Sequence, residues 1–245
     1  MTAERWLNVT AAALRTAPSA ESPYCETHGL DGHERSEVPT QYGPMLTFNT
    51  DLYCEPGYCM GDDDVSRTIR RVGVWEPVET AAFGALIFDG DVVIDFGGQI
   101  GWYSRVTSFY GGSVLAIEGV YEHAAILNYN VPGAHVVRHW VDENSPIISA
   151  DGAPRIKCVK MDLEGAEVHA MRMISDLLDA ELIDNILMEI SPVFNDSYPL
   201  IIRELFQRGF TAEVCNPYQQ FTHDEIDAVV AQAPQVDMMF RRVRA

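Results

Sequence analysis

From about residue 65 onward, short apolar runs alternate with segments of helical periodicity, and this alternation limits the folds open to the chain. Strands that alternate with helices form βαβ units, whose strands pair in parallel. The last two strands follow each other near the C terminus, so one strand can lie antiparallel at an edge. We therefore predict an α/β fold with a doubly wound, mostly parallel, seven-stranded sheet and an antiparallel edge strand. The predicted strands span residues 91–97, 113–119, 134–141, 156–165, 185–191, 211–216 and 236–243.

The first 64 residues differ in composition from the rest. They are rich in proline, glycine, serine and glutamate, with isolated aromatic residues. For residues 1–64 we predict an irregular N-terminal extension or lid that contains a short helix over residues 4–15. Residues 65–245 then form the main domain. Doubly wound sheets bind ligands at the carboxyl ends of their strands, where the winding reverses, so the site is expected in this domain.

The chain is strongly acidic, with a formal net charge of −19 from 17 basic and 36 acidic residues. Such a field repels phosphate backbones and anionic lipid surfaces, so nucleic acid is a disfavoured partner and no membrane binding is expected. No apolar run approaches the roughly 20 residues that cross a bilayer, and the N-terminal segment lacks a signal-peptide pattern. We therefore expect a cytoplasmic protein. Two arginine clusters are interpreted as exposed surface: Arg67, Arg70 and Arg71, then Arg241, Arg242 and Arg244.

The five cysteines form an odd and sparse set, which does not suit a disulfide-rich scaffold. Five residues of the N-terminal segment could together form a zinc site, but their spacing contains no tight CxxC pair. These residues are Cys25, His28, His33, Cys54 and Cys59. We therefore predict reduced thiols and no metal.

Acidic residues end the first two strands of the predicted sheet. Asp95 precedes the glycine pair Gly97 and Gly98, which allow the backbone to approach a ligand closely. Glu118 ends the next strand, 21 residues beyond Gly97. A carboxylate at this distance typically accepts two hydrogen bonds from the hydroxyls of a ribose. The sequence therefore predicts a bound nucleoside.

The glycine turn does not fit a dinucleotide. Residues 95–101 read DFGGQIG, so the GxGxxG register that places pyrophosphate at a helix N terminus is broken. The turn also carries an acid where a phosphate site would favour none. An acidic rim suits a cationic ligand, and S-adenosylmethionine combines an amino group and a sulfonium with a ribose.

Four strings, in order, resemble the FkbM-type S-adenosylmethionine-dependent methyltransferases. They are GVWEPVET (73–80), VVIDFGGQIGWYS (92–104), AIEGVYEHAAILNYN (116–130) and KMDLEGAEVHAM (160–171). The resemblance runs from about residue 65 to 205, whereas residues 1–64 match nothing in the family. Two departures are Gly98-Gln99, where the family usually has Ala-Asn, and Gly119, where it usually has proline. The resemblance implies a class I methyltransferase fold with S-adenosylmethionine as cofactor.

The resemblance also implies roles for individual residues. Glu118, with Gly119 beside it, would bind the ribose hydroxyls, Glu76 would contact the cofactor from the preceding helix, and Asp142 would accept from the adenine amino group. Asp162 would lie closest to the transferred methyl. The methionine portion would be surrounded by Asp95, Gly97, Gly98, Gln99 and Gly101.

Three acids are candidates for the general base of the reaction: Asp162 and Glu164 after the fourth strand, and Glu189 at the end of the fifth. We predict methylation of a hydroxyl oxygen on a small molecule or glycan, the oxygen acceptor being what the resemblance implies. Two alternatives stay open at this point. One is an NAD-dependent oxidoreductase, and the other is a non-catalytic nucleoside-binding module closed by residues 1–64.

Overall fold

The computed structural model describes residues 1–19, 35–49, 64–215, 219–232 and 235–244. The cysteines and histidines of the candidate zinc site lie outside these ranges. The strands are β1 Arg35–Val38, β2 Met45–Phe48, β3 Val92–Phe96, β4 Ser113–Glu118, β5 His135–Arg138, β6 Ile156–Met161, β7 Ile183–Ile190, β8 Phe210–Val214, β9 Gln219–Phe221 and β10 Val236–Arg242. The helices are α1 Ala3–Thr16, α2 Asp64–Val72, α3 Pro77–Gly84, α4 Trp102–Phe109, α5 Tyr121–Asn130, α6 Glu167–Met173, α7 Ser175–Asp179, α8 Tyr198–Gln207 and α9 Ile226–Gln232.

The central sheet has eight strands in the order β5-β4-β3-β6-β7-β10-β8-β9. The five strands β5, β4, β3, β6 and β7 pair in parallel. The chain winds from β3 outward to β5 and then returns to place β6 on the other side of β3. The winding therefore reverses between β3 and β6, where a ligand crevice is expected.

The predicted fold class is confirmed, with one strand more than expected. The added strand, β9, has three residues and pairs antiparallel with β8 at the sheet edge. A run this short gives no periodicity in the sequence, which is why the sequence does not predict it. The C-terminal strand β10 lies inside the sheet, antiparallel to both β7 and β8. Its first residues therefore lie at the same edge as the carboxyl end of β7.

Alternating residues of the strands face two different cores. Ile94 and Phe96 of β3 belong to the larger cluster, which also contains residues of α1, α6, α7 and α8. Val93 packs in the second cluster, with residues of α3 and α4. Since side chains alternate along a strand, Asp95 faces the side of Val93. The same face carries Cys158, Leu187 and Met239.

The N-terminal segment contributes elements to both faces of the sheet. Residues 3–16 form α1, which confirms the predicted short helix. Trp6 and Leu7 of α1 are buried in the larger core. Met45 and Phe48 of the β1–β2 hairpin are buried in the second core. The division between residues 64 and 65 stays a prediction.

Within the described residues, the helices are either too short or too polar to span a lipid bilayer.

Candidate functional site

A cavity of about 530 Å³ lies at the carboxyl ends of β3, β4, β6 and β7. Its volume falls within the range of roughly 300–1,000 Å³ typical of small-molecule sites. Most of the residues predicted from sequence line this cavity. They are Glu76, Asp95, Gly97, Gly98, Gln99, Glu118, Gly119, Asp162, Glu164 and Glu189.

The turn after β3 requires glycine at its first position. Gly97 has a φ of +74°, and a Cβ atom there would lie 1.8 Å from the backbone oxygen of Asp162. The turns after β3 and β6 are therefore in direct backbone contact. Gln99, two residues on, also has a positive φ of 46°. This conformation directs the Gln99 amide toward the end of β4.

The Glu118 carboxylate is fixed by two backbone amides. Gln99 N–H donates to its Oε2 at 2.8 Å, and Val120 N–H donates to its Oε1 at 2.7 Å. A carboxylate accepts about four hydrogen bonds, so each oxygen keeps capacity for one more donor. Because Glu118 lines the cavity, two neighbouring hydroxyl groups of a ligand can use that capacity.

Asp95 is almost fully buried beneath the turn. The Ser104 hydroxyl, on α4, donates to its Oδ2 at 2.6 Å. Burial raises the pKa of Asp95 to about 6, although the Ser104 hydrogen bond and Lys160 oppose the shift. The ionised form is therefore costly in the ligand-free protein, and a nearby cation would favour it.

Lys160 is a buried cation that the sequence patterns did not reveal. Its Nζ lies 3.2 Å from Asp162 Oδ2 and 3.5 Å from Asp237 Oδ1, and it lies over the Tyr103 ring at 5.0 Å from the centroid. Burial lowers the pKa of Lys160, but the carboxylates of Asp162, Asp237 and Glu76 outweigh this, so the pKa is raised. A signal was present, since Lys160 precedes Asp162 by two positions and therefore shares its side of the strand.

Glu76 reaches the same network from the start of α3. It adopts the left-handed conformation with a φ of 40°, and its Oε2 accepts from the Tyr103 hydroxyl at 2.6 Å. Burial raises the pKa of Glu76 to about 7, with Lys160 opposing the shift. Glu76 lines the cavity, and its contact with the cofactor stays a prediction.

The three candidate bases converge at one end of the cavity. One carboxylate oxygen from each of Asp162, Glu164 and Glu189 lies within 4.8 Å of the other two. Burial, followed by the neighbouring Asp162 carboxylate, raises the pKa of Glu189 to about 10. The fold thus brings together the three acids predicted from sequence, which follow or end two neighbouring strands, β6 and β7.

Glu167 supports the turn that carries Asp162 and Glu164. Its Oε1 accepts from the Leu163 amide at 2.8 Å, and its Oε2 accepts from the Tyr198 hydroxyl at 2.8 Å. Asn195 also bonds this turn, donating to the Gly165 carbonyl at 2.8 Å. The loops after β6 and β7 are therefore held together, and Phe194 of the second loop lines the cavity mouth.

Two predicted cofactor contacts fall outside the cavity lining. A Cβ atom on Gly101 would face Leu127 at 3.0 Å, so this glycine allows α4 and α5 to pack closely. Asp142 Oδ1 accepts from the Asn144 amide at 2.8 Å within a turn. Neither residue lines the cavity, and their contacts with the cofactor stay predictions.

Trp140, two residues before Asp142, lines the cavity. A Cβ atom on Gly119 would lie 2.5 Å from Trp140 Cε3. This contact explains why glycine stands at position 119, where the resembling family usually has proline. Trp140 adds an aromatic side chain to the cavity lining, a feature that sequence reasoning missed.

Several solved structures are similar to this chain. A TehB-like SAM-dependent methyltransferase from Corynebacterium glutamicum matches with a TM-score of 0.50 and 13% identity, over 72% of this chain and 94% of that one. An rRNA methylase from Streptococcus thermophilus matches with a TM-score of 0.46 and 14% identity, over 70% and 99%. Magnesium protoporphyrin IX methyltransferase from Synechocystis, with bound SAM, matches with a TM-score of 0.44 and 16% identity, over 73% of this chain and 84% of that one.

The chain has the fold of the class I methyltransferases, as the strand order and the Corynebacterium structure indicate. No protein-family profile matches the sequence, and no curated protein matches it. The fold is therefore established, whereas membership of the FkbM-type family is not.

Exchanging Asp95 for asparagine should stabilise the ligand-free protein. Burial raises the pKa of Asp95 from 3.8 to about 6. The protonated Asp95 side chain therefore contributes its full stability to the folded protein below pH 3.8, and this contribution is lost as the pH rises through 6 and the buried carboxyl ionises. The cost of ionisation is about 3 kcal/mol at pH 8 and about half of that at pH 5. Urea unfolding of Asp95→Asn at both pH values should therefore show the larger gain at pH 8.

Asp151→Asn provides the control for this experiment, since Asp151 is exposed in the turn before β6. Its effect should be small and equal at both pH values. A gain for Asp95→Asn that does not grow with pH would contradict the account of Asp95.

Proposed function

We propose that this chain is an S-adenosylmethionine-dependent methyltransferase of the FkbM type, which methylates a hydroxyl oxygen of a small molecule or glycan. The observation that carries the proposal is the Glu118 carboxylate, held by two backbone amides beside the glycine turn at the carboxyl ends of β3 and β4. Its free acceptor capacity faces the cavity and suits the hydroxyl pair of a ribose. The fold shared with a SAM-dependent methyltransferase supports the same cofactor.

The charges of the cavity favour a cationic cofactor over NAD. Asp95, Glu76 and Asp162 line the cavity together, with Lys160 as the one lysine or arginine among its lining residues in the described ranges. A pyrophosphate would be repelled by this set, whereas a sulfonium and an ammonium would be attracted. The acids therefore fit S-adenosylmethionine, which supplies an electrophilic methyl group when bound.

The remaining residues have assignable tasks in this proposal. Glu118 binds the ribose, Trp140 packs against the adenine, and the turn of Gly97, Gly98 and Gln99 contacts the methionine portion. Asp162 receives the proton of the acceptor hydroxyl, while Lys160 orients the Asp162 carboxylate through its contact at 3.2 Å. A positioned base of this kind typically contributes about 10²–10⁴-fold to the rate.

The acceptor enters past Phe194 in the proposed arrangement. Phe194 is 57% exposed and lies at the cavity mouth, where an apolar or sugar ring can pack on it. The net charge of −19 disfavours a nucleic acid acceptor. Neutral hydroxylated small molecules and glycans are therefore the first acceptors to examine.

Calorimetric titration tests the cofactor, and a radiolabelled donor tests the reaction. We expect S-adenosylmethionine and S-adenosylhomocysteine to bind and NAD not to bind. Incubation with methyl-labelled donor and pools of hydroxylated acceptors should then give a labelled product that resists base hydrolysis, as an ether does. Binding of NAD alone would favour an oxidoreductase. Binding of S-adenosylmethionine with no transfer to hydroxyl, amine or RNA acceptors would favour a binding module.

A further inference from the structure

Three carboxylates meet at the end of the cavity formed by β6 and β7. Asp162 and Glu164 come from the turn after β6, and Glu189 comes from the end of β7. One oxygen of each lies within 4.8 Å of the others. Carboxylate oxygens in such an arrangement are the ligands that hard divalent cations prefer.

Glu189 gives an independent indication of a missing ligand. The residue is 5% exposed, and its Oε1 accepts from the Gln235 side chain. Its Oε2 is inaccessible to solvent and has no hydrogen-bond partner in the part of the chain that the structure describes. A buried carboxylate oxygen without a partner is costly, and a bound cation would remove that cost. The side chain lines the cavity, so a ligand there can reach it.

The buried lysine does not neutralise this cluster. Lys160 Nζ contacts Asp162 Oδ2 at 3.2 Å and Asp237 Oδ1 at 3.5 Å. Among the described residues, no lysine, arginine or histidine forms an ion pair with Glu164 or Glu189. Within the described ranges, the carboxyl groups of Glu164 and Glu189 therefore have no cationic side chain within ion-pair distance, and Asp162 shares its one ammonium with Asp237.

We propose that Asp162, Glu164 and Glu189 bind a divalent cation of the Mg²⁺ or Mn²⁺ type. Waters and oxygen atoms of the acceptor complete the coordination, because Mg²⁺ commonly uses one or two carboxylates and keeps several waters. The prediction of no metal considered only cysteine and histidine ligands, and this site contains oxygen ligands alone.

The role of the cation deepens the proposed function and rests on it. A hydroxyl bound to a divalent cation loses its proton more readily, so the cation would promote transfer of the acceptor proton to Asp162, whose carboxylate keeps acceptor capacity beside the oxygen that binds the cation. Binding of the cation by the three carboxylates, with water at the other coordination positions, requires neither the cofactor nor the acceptor.

Manganese binding to the whole chain tests the proposal without any assay of activity. The protein is freed of metal with a chelator, exchanged into chelator-free buffer and titrated with Mn²⁺, while electron paramagnetic resonance measures free Mn²⁺. We expect one bound ion that added Mg²⁺ displaces. Glu189→Gln and Glu164→Gln should each weaken binding by about tenfold or more. Glu204→Gln, an exposed acid on α8, should bind as the unmodified chain does.

Circular dichroism of each variant tests whether it is folded. The Glu164→Gln substitution is expected to leave the fold intact, because the Glu164 side chain is exposed. No Mn²⁺ binding at millimolar concentration, or equal binding by all variants, would overturn the cation site. Mn²⁺ binding without S-adenosylmethionine binding would reject the methyltransferase proposal and keep the site. S-adenosylmethionine binding without Mn²⁺ binding would overturn the cation site and leave the methyltransferase proposal standing.

Discussion

Gly97→Ala should destabilise the protein by about 4 kcal/mol and abolish binding of S-adenosylmethionine. The added Cβ would lie 1.8 Å from the Asp162 carbonyl oxygen, and Gly97 has a φ of +74°. An alanine there must either leave the left-handed region or push the β6 turn away from β3. Both outcomes displace Asp162 and the amide of Gln99, so the variant loses folding stability and cofactor binding together. Urea unfolding and calorimetry with S-adenosylmethionine measure the two effects.

Gly90→Ala separates backbone strain from steric contact. Gly90 has a similar φ of +82°, but a Cβ atom there would meet nothing within 4 Å. It precedes β3, at the end of the sheet away from the cavity. We expect this substitution to cost about 1–2 kcal/mol and to leave binding unchanged. Equal costs at the two positions would show that the contact between Gly97 and Asp162 has no energetic effect.

Glu118→Ala should weaken S-adenosylmethionine binding by about a thousandfold, or about 4 kcal/mol. Two ribose hydroxyls that bond a charged acceptor contribute roughly 1.5–3 kcal/mol each. The substitution also frees the amides of Gln99 and Val120, which Glu118 now binds at 2.8 and 2.7 Å. Calorimetric titration of the variant gives the loss directly.

Two companion variants make the Glu118 result specific. Glu118→Gln keeps the shape of the side chain but loses the charge and half of its acceptor capacity, so we expect a smaller loss of affinity. Glu143→Ala removes an exposed acid from the loop after β5 and should bind normally. An affinity for Glu118→Ala within threefold of the unmodified chain would remove Glu118 from the site.

The sequence predicted the sheet and the acids at its strand ends for a physical reason. Buried parallel strands give continuous apolar runs, and the fold class requires that ligands bind where those runs end. Asp95, Glu118, Asp162 and Glu189 could therefore be identified without coordinates. The structure places all four around one cavity.

The residues that were missed depend on contacts between distant segments. Asp237 lies directly opposite Glu189 because β10 enters the sheet antiparallel to β7, which no local pattern indicates. Trp140 reaches the cavity through its packing on Gly119. Gly101 matches the family string, yet it packs against α5 instead. Local sequence thus indicates which residues end a strand, while tertiary packing decides what their neighbours contact.

A crystal structure of the chain grown with S-adenosylhomocysteine tests the central claim most directly. We predict both ribose hydroxyls within hydrogen-bond distance of the Glu118 carboxylate, the adenine beside Trp140 and the sulfur atom toward Asp162. A ligand bound elsewhere, or a ribose that does not contact Glu118, would contradict the account.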